Sequence, residues 1–451
     1  MRTLLAACLI LLLPAAAQAQ VVPQPSPGAY QRAVAAGYKA ALYCSGIFNG
    51  GRTPAQIDAD ELAGIYPEYA GIVPTLSAQI DREQHSVSVA FDSRMPPRRA
   101  AWTRGQGCVT QPIGSEAAPA RLPAPAAGIP DADARPWPQG DAGIAPRPSA
   151  RLAGTVGGAF GNTYGAGTKT VGLLVVKDGR VLAEQYGAGF GPFVSNRTWS
   201  VGKSIAGTLV GLADAGAVGA PATIAEWRVG DPRRRITIDH LLRMASGLHS
   251  DTAGNRTDAI YFGGTTVDEQ AVAWPLEVSP GTRFRYANND ILLAMYATRQ
   301  AIGEERYRAL PGSLFGPLGM AHTVAETDWH GNYILSSQVW STARDLARLG
   351  LFWLQDGVWA GKRLLPKGWV RAMTTPSGPQ PASGPGYGAT MWLFGPEQGL
   401  PPGSFAAQGN RGQFIMVIPS RRLVIVRRGE DSGAARFDIA RFTADVAAAL
   451  P

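Results

Sequence analysis

Residues 171–186 read VGLLVVKDGRVLAEQY and carry the clearest fold signal in the chain. Two largely apolar runs, 171–176 and 181–186, flank the dipeptide Asp178-Gly179. Asp-Gly between two such runs is typical of the tight turn of a β-hairpin. The stretch therefore predicts two neighbouring antiparallel strands.

A second hairpin is predicted near the C-terminus, where residues 413–418 and 423–426 flank Pro419-Ser420-Arg421-Arg422. A helix should follow it, with an apolar face formed by Ile439, Phe442, Val446 and Leu450. Hairpins at both ends, with helical patterns between them, favour an α+β domain in which helices pack on an antiparallel sheet. We expect this domain to span residues 151–451.

A proline-rich stretch precedes this domain. Residues 111–150 contain nine prolines, several times the roughly 5% background frequency. This composition predicts an extended Pro/Ala-rich connector. The connector should lie along the protein, because Trp137 would otherwise expose a large apolar ring to water.

Residues 20–110 are predicted to form an N-terminal segment with secondary structure of its own. A helix is expected over residues 29–42, and Thr53-Pro54 resembles the start of another. Residues 86–91 alternate between polar and apolar side chains as a strand does.

The first 19 residues predict a secretory signal peptide. Arg2 precedes an apolar run over residues 4–13, which is too short to span a bilayer, and Ala17-Gln18-Ala19 fits a cleavage site. A lipoprotein cleavage box at Cys8 fits less well, because most of the apolar run follows that cysteine. We expect a periplasmic or secreted protein with no integral membrane segment after cleavage.

Export would leave two of the three cysteines, Cys44 and Cys108. An oxidising compartment favours a disulfide between them. The bridge would close a loop of about 65 residues, worth on the order of 4 kcal/mol in the chain-entropy model. Two buried free thiols are the alternative.

The composition excludes several classes of function. The net charge of +8 comes from 36 arginines and six lysines, and no dense basic stripe interleaved with aromatic residues indicates a nucleic-acid partner. The five scattered histidines, with no His-Glu-x-x-His or Cys-x-x-Cys, predict neither a metal nor another cofactor. The absence of Gly-x-Ser-x-Gly excludes the nucleophile elbow of an α/β-hydrolase.

Ser200-Val201-Gly202-Lys203 is the one Ser-x-x-Lys motif of the chain. It opens a predicted helix over residues 204–213, and the spacing of three places Ser200 and Lys203 on one helix face. A buried lysine with a lowered pKa is able to activate a serine nucleophile. The alternative is a capping serine with a surface lysine.

Arg285-Tyr286-Ala287-Asn288 precedes an apolar run over residues 291–296. Tyr286 followed by Asn288 is able to supply a proton relay and a polar contact to a substrate carbonyl. A buried tyrosine with a helix-capping asparagine is equally compatible with the pattern.

Ser-x-x-Lys followed some 86 residues later by Tyr-x-Asn resembles the serine β-lactamase/penicillin-binding-protein superfamily, in its class C-like branch. The supporting stretches are residues 236–248, 315–320 and 341–350. Within the branch, the chain is most similar to exported serine hydrolases like 6-aminohexanoate-dimer hydrolase, with esterases and D-amino-acid amidases nearby. The resemblance covers residues from about 150 to 451, and implies an antiparallel sheet flanked by helices with an all-helical subdomain.

The superfamily's third motif, Lys-Thr-Gly or His-x-Gly, corresponds to the stretch around Gln408, Gly409 and Asn410, which the resemblance makes substrate-binding residues. The motif's lysine is missing, which argues against β-lactam turnover. Arg411 is a possible replacement for that cation.

The resemblance also implies a mechanism without a metal or organic cofactor. Ser200 attacks an amide or ester carbonyl, neutral Lys203 accepts the proton with help from Tyr286, and Asn288 orients the acyl group. The backbone N–H groups of Ser200 and of a residue within 413–415 form the oxyanion hole. Water then releases the acyl group.

We therefore expect a serine hydrolase acting on small amides or esters. The alternatives are a D,D-peptidase or β-lactamase acting near the cell wall, and a non-catalytic relative that binds peptidoglycan fragments or a partner.

Overall fold

The computed structural model describes residues 28–116, 132–250 and 257–450. The predicted signal peptide and residues 117–131 of the connector lie outside the described residues. Across the described ranges, each helix is either too short or too polar to cross a bilayer.

The N-terminal segment consists of helices packed on a four-stranded antiparallel sheet. Its elements are α1 (Ala29–Phe48), α2 (Pro54–Ala59), α3 (Pro67–Ala70), β1 (Ala78–Asp81), β2 (Ser86–Val89), β3 (Arg98–Thr103) and β4 (Gly107–Thr110). Helix α1 extends six residues beyond the predicted 29–42, and Thr53 caps α2 as its sequence indicates. The predicted disulfide is present: Cys44 of α1 is bonded to Cys108 of β4.

The described part of the connector lies on the main domain. The indole Nε1 of Trp137 donates a hydrogen bond to the Gly179 carbonyl at 2.8 Å, and the Arg348 guanidinium lies 4.9 Å from the ring. The position of Trp137 agrees with the expectation that this ring does not project into water.

The main domain is an α+β fold, as predicted. Its strands are β5 (Thr170–Lys177), β6 (Arg180–Tyr186), β7 (Asn196–Arg197), β8 (Val324–Ala325), β9 (Val339–Ser341), β10 (Val358–Trp359), β11 (Lys362–Arg363), β12 (Gly386–Tyr387), β13 (Trp392–Phe394), β14 (Ser404–Gly409), β15 (Gln413–Ile418) and β16 (Leu423–Gly429). Its helices are α4 (Ala150–Gly158), α5 (Val201–Asp214), α6 (Ile238–Leu242), α7 (Asp258–Tyr261), α8 (Val267–Gln270), α9 (Asn288–Ile302), α10 (Glu304–Leu318), α11 (Ala343–Leu354), α12 (Trp369–Met373) and α13 (Ile439–Ala449).

Seven strands form one antiparallel sheet in the order β12-β13-β14-β15-β16-β5-β6. Both predicted hairpins belong to it, as β5–β6 and β15–β16. Because the two hairpins pair with each other through β16 and β5, the ends of the domain meet at its centre.

Helices cover both faces of this sheet, which explains its uninterrupted apolar runs. Leu173 and Val175 lie in the cluster that includes α4 and α13, whereas Leu174 and Val176 lie in the cluster that includes α5 and α11. Successive side chains of a strand point to opposite faces, so both sets of neighbours are buried.

Candidate active site

Ser200 lies in the turn between β7 and α5. The N–H of Thr198 donates to the Val339 carbonyl at 2.8 Å, which fixes the chain before the turn. Trp199 then takes φ 51°, a left-handed conformation that is rare for a bulky residue and is concentrated at functional sites. The turn leaves Ser200 partly accessible, whereas residues 201–211 of α5 are buried.

Lys203 lies one helical turn after Ser200 and reaches back to it. Its Nζ atom is 2.9 Å from Ser200 Oγ, 2.5 Å from Asn288 Oδ1 and 2.9 Å from the Ser336 carbonyl oxygen. The lysine side chain is buried, with 1% of its surface exposed. The two members of the Ser-x-x-Lys motif are therefore in direct contact.

The environment of Lys203 favours its neutral form. Burial, reinforced by the positive charge of Arg197, lowers the pKa of Lys203 from 10.5 to about 7. A large fraction of this amine is thus unprotonated near neutral pH and able to accept a proton from Ser200. The alternative of a surface lysine is wrong.

Tyr286 stands on the other side of this pair. Its ring centroid is 4.9 Å from Lys203 Nζ and 5.4 Å from the centroid of Trp392. Burial raises the pKa of Tyr286, and a hydrogen bond with Ser200 opposes that shift only in part. The phenol therefore keeps its proton near neutral pH and is a donor rather than a base.

Asn288 begins α9, directly after the extended residue Ala287. Its side-chain oxygen accepts a hydrogen bond from Lys203, so this asparagine orients the amine. Contact with an acyl group stays a prediction.

The third-motif residues end strand β14 beside the nucleophile. A Cβ atom at Gly409 would lie 2.4 Å from the Thr198 carbonyl oxygen and 3.1 Å from the Ser200 nitrogen, so only glycine fits at this distance. Gln408 is half-buried one residue earlier in the strand, and Asn410 is exposed one residue later.

Gly409 at the end of β14 lies against the Ser200 nitrogen, and Gln413 of β15 pairs with it. An oxyanion-hole N–H within residues 413–415 stays a prediction. The side chain of Gln413 binds Arg428 and the Gly429 carbonyl. One expectation for this region is corrected. Arg411 is turned toward the N-terminal segment and does not replace the missing lysine.

Two contributors to the site carry no motif. Arg197 faces the Trp199 ring at 3.8 Å and lowers the pKa of Lys203 by its charge. Ser336 binds Lys203 through its carbonyl and Tyr261 through its hydroxyl. A cation six residues before the lysine is a faint signal for Arg197, but no local pattern identifies Ser336.

A group of side chains with metal-ligand chemistry also occurs among the described residues. Asp133, Asp141 and His322 have oxygen or nitrogen atoms close enough to share an ion. The Asp141 carboxylate is bound by Arg348 at 2.7 Å, and His322 is bound by Asp133 at 2.9 Å. We assign no metal to this group.

Known proteins share both the sequence pattern and the fold. The family described as β-lactamase matches residues 162–449, more than half of the chain. The 6-aminohexanoate-dimer hydrolase of Paenarthrobacter ureafaciens is 29% identical over 294 residues, covering 58% of this chain and 72% of that protein.

Two solved structures extend the comparison to the fold. A penicillin-binding-protein homologue from Caulobacter crescentus is 18% identical, with a TM-score of 0.54, over 68% of this chain and 99% of that one. A family VIII carboxylesterase is 16% identical, with a TM-score of 0.51, over 67% and 98%. At these identities, the likeness shows a common fold alone.

Proposed function

The chain belongs to the β-lactamase family of hydrolytic enzymes, and on this basis we propose that it cleaves small amides or esters through an acyl-enzyme on Ser200. One observation carries the proposal: Lys203 Nζ lies 2.9 Å from Ser200 Oγ, with a pKa lowered to about 7. A serine and a neutral amine in hydrogen-bond contact form an activated nucleophile.

The proposed reaction has two halves. Ser200 Oγ bonds to the substrate carbonyl carbon while Lys203 takes the hydroxyl proton, and the carbonyl oxygen becomes an oxyanion. The Ser200 N–H and an N–H at the end of β14 would hold that oxyanion. Tyr286 would pass its proton to the leaving amine or alcohol and take in its place the proton held by Lys203. Water, giving a proton to the neutral Lys203, then attacks the acyl carbonyl carbon, and the bond to Ser200 Oγ breaks as Lys203 returns that proton to Oγ.

The substrate class follows from the third motif and from the curated relative. Residues 407–409 are Ala-Gln-Gly, so the lysine of the third motif is missing, and Arg411 binds the N-terminal segment instead. The cation that would hold the carboxylate of a β-lactam is therefore missing at this position. The relative from Paenarthrobacter ureafaciens is named for a linear amide dimer. We therefore favour linear ω-amino-acid amides and short esters over β-lactams, and we propose that the enzyme acts in the periplasm or outside the cell.

A substrate panel with a matched variant tests this proposal. Linear ω-amino-acid amides, short p-nitrophenyl esters and nitrocefin are given to the wild type and to Ser200→Ala, and both are treated with a fluorophosphonate probe. We expect hydrolysis of an amide or ester and labelling at Ser200 in the wild type, and neither in Ser200→Ala at an unchanged melting temperature. Labelling of Ser200→Ala at the full rate would refute the nucleophile, and nitrocefin as the best substrate would refute the substrate class.

A further inference from the structure

A buried arginine connects the third-motif turn to the N-terminal segment. The Arg411 guanidinium donates to the Asp60 carbonyl through Nη1 at 2.5 Å, and to the Ala63 carbonyl through Nη2. The side chain is 6% exposed, and its nearest carboxylate, that of Glu430, is 3.6 Å away. Without the two carbonyls, most of the guanidinium's donors would be buried without an acceptor, which is costly.

The backbone of Arg411 is held in an uncommon conformation. Its φ is 56°, in the left-handed region that non-glycine residues occupy only where the surroundings impose it. Its carbonyl accepts the N–H of Asp431 at 3.3 Å. Side-chain and backbone contacts together fix the direction in which the chain leaves β14.

This turn forms one wall of the proposed oxyanion hole. Gly409, two residues before Arg411, lies against the Ser200 nitrogen. The Arg411 guanidinium also lies 5.7 Å from the ring of Trp199, which directly precedes Ser200. The side chain of Arg411, two residues after the end of β14, therefore lies beside the turn of the nucleophile.

A second buried arginine, this one in the N-terminal segment, binds the main domain. Arg98 of β3, 1% exposed, donates to the carbonyls of Phe262 and Gly263 at 3.0 Å each. The preceding Tyr261 places its hydroxyl 2.5 Å from Ser336 Oγ, and the Ser336 carbonyl binds Lys203. The N-terminal segment thus supports the base side of the site as well.

We infer that the N-terminal segment is part of the active site, and that Arg411 is the positioning residue through which it holds the oxyanion-binding turn. This inference rests on the proposed acyl-enzyme function. It assigns a positioning role to residues 28–110, all of which precede the region matched by the β-lactamase family.

Arg411→Gly tests the inference, because glycine adopts φ 56° without strain and the backbone of the turn keeps its conformation while the side chain is removed. Arg422→Gly is the matched control: Arg422 has φ 49°, and its side chain is 71% exposed on the β15–β16 turn. Both variants are assayed on a p-nitrophenyl ester and on the thionoester in which sulfur replaces the carbonyl oxygen. Sulfur is a poor hydrogen-bond acceptor, so the ester-to-thionoester rate ratio reports the oxyanion hole.

We expect Arg411→Gly to lower kcat by about tenfold to a hundredfold, as misplaced catalytic groups do, with little change in KM. The ester-to-thionoester ratio should fall as well, whereas Arg422→Gly should match the wild type. A general loss of stability would not change that ratio at temperatures well below melting.

The outcomes separate the inference from the proposed function. No labelling of wild-type Ser200 by fluorophosphonate would refute the function itself. Normal wild-type labelling together with a wild-type kcat and ratio in Arg411→Gly would overturn the positioning role alone. If the glycine variant does not fold, Arg411→Lys replaces it, and a wild-type ratio there would also overturn the role, because one ammonium lacks the planar fork that binds both carbonyls.

Discussion

The burial of Lys203 and the charge near it determine the protonation state of its amine. In the proposed mechanism, its amine must be neutral to accept the Ser200 proton. Its pKa is lowered to about 7, chiefly by burial and further by the charge of Arg197. The activity of the enzyme should therefore depend on pH in the neutral range.

The first residue-scale prediction is the position of this pH dependence. For the wild type, kcat/KM should rise with pH through about 7, as Lys203 loses its proton, and then level off. Arg197→Met removes the positive charge that disfavours protonated Lys203, so the pKa of Lys203 should rise. The rising part of the kcat/KM profile should then move to higher pH. The measurement is the pH profile of kcat/KM on one ester, with Arg422→Gly as control. If the pH profile of Arg197→Met coincided with that of the wild type, Arg197 would be excluded as a cause of the lowered pKa of Lys203.

The second residue-scale prediction separates the roles of Lys203 and Tyr286. Both are proposed to move protons for Ser200, so Lys203→Ala and Tyr286→Phe should each cost roughly 10²–10⁴-fold in kcat/KM. The double variant should be little worse than the worse single variant, because groups that act as a unit give non-additive losses. Tyr286→Phe should harm an amide more than an activated ester, since only the amine needs a proton before it departs. Near-normal amidase activity in Tyr286→Phe would remove the relay.

The sequence alone predicts the contacts between residues that are close in the chain, but not those between residues that are far apart. Ser200 and Lys203 are three residues apart on one helix, so local spacing alone predicts their contact. Arg197 is local too, but its effect requires knowing that Lys203 is buried. The Ser336 carbonyl and the partners of Arg411 are 133 and about 350 residues away from the groups they bind, and no periodicity encodes such contacts.

At the scale of elements, β14 sets the distance between the sheet and the nucleophile. Gly409 has an extended backbone, with φ −132° and ψ 159°, which alanine adopts readily. The requirement for glycine is therefore a matter of contact and not of conformation.

This contact predicts a large effect of one methyl group. Gly409→Ala would place Cβ 2.4 Å from the Thr198 carbonyl oxygen, so β14 must move away from Ser200. We expect kcat to fall by about a hundredfold, the usual cost of a misplacement near 1 Å. Gly395→Ala serves as control, because Gly395 is also extended and has no atom within 4 Å of the added Cβ. Wild-type kcat in Gly409→Ala would show that the strand end does not form the hole.

The same scale shows why the fold class was predictable. The two hairpins carry their own turn signals, at Asp178-Gly179 and at residues 419–422, so each forms from local information. Their pairing through β16 and β5 has no such signal. The N-terminal helix was predicted six residues too short, although no proline or glycine follows Leu42 until Gly46, and Gly46 itself lies inside the helix.

At the scale of the whole molecule, the disulfide anchors α1 to β4 across a sequence separation of 64 residues. Closing a loop of this length lowers the entropy of the unfolded chain, which stabilises the folded state by about 4 kcal/mol in the chain-entropy model. We expect Cys44→Ser/Cys108→Ser to lose stability of that order, measured as the free energy of unfolding in denaturant. Reductant should destabilise the wild type similarly and leave the double variant unchanged. Equal stability with and without reductant would contradict the prediction.

The arginine that connects the third-motif turn to the N-terminal segment also has a consequence in time. The Asp60 carbonyl and the Arg411 guanidinium are 351 residues apart. A ribosome adds about 5–20 residues per second, so roughly 20–70 s pass between the synthesis of acceptor and donor. Throughout that interval, the growing chain comes to contain Ser200, Lys203 and Tyr286 but lacks the turn that is proposed to complete the oxyanion hole. In the proposed mechanism, the order of the chain postpones hydrolytic competence until synthesis is almost finished, and a prematurely terminated product would carry the nucleophile without its full reactivity.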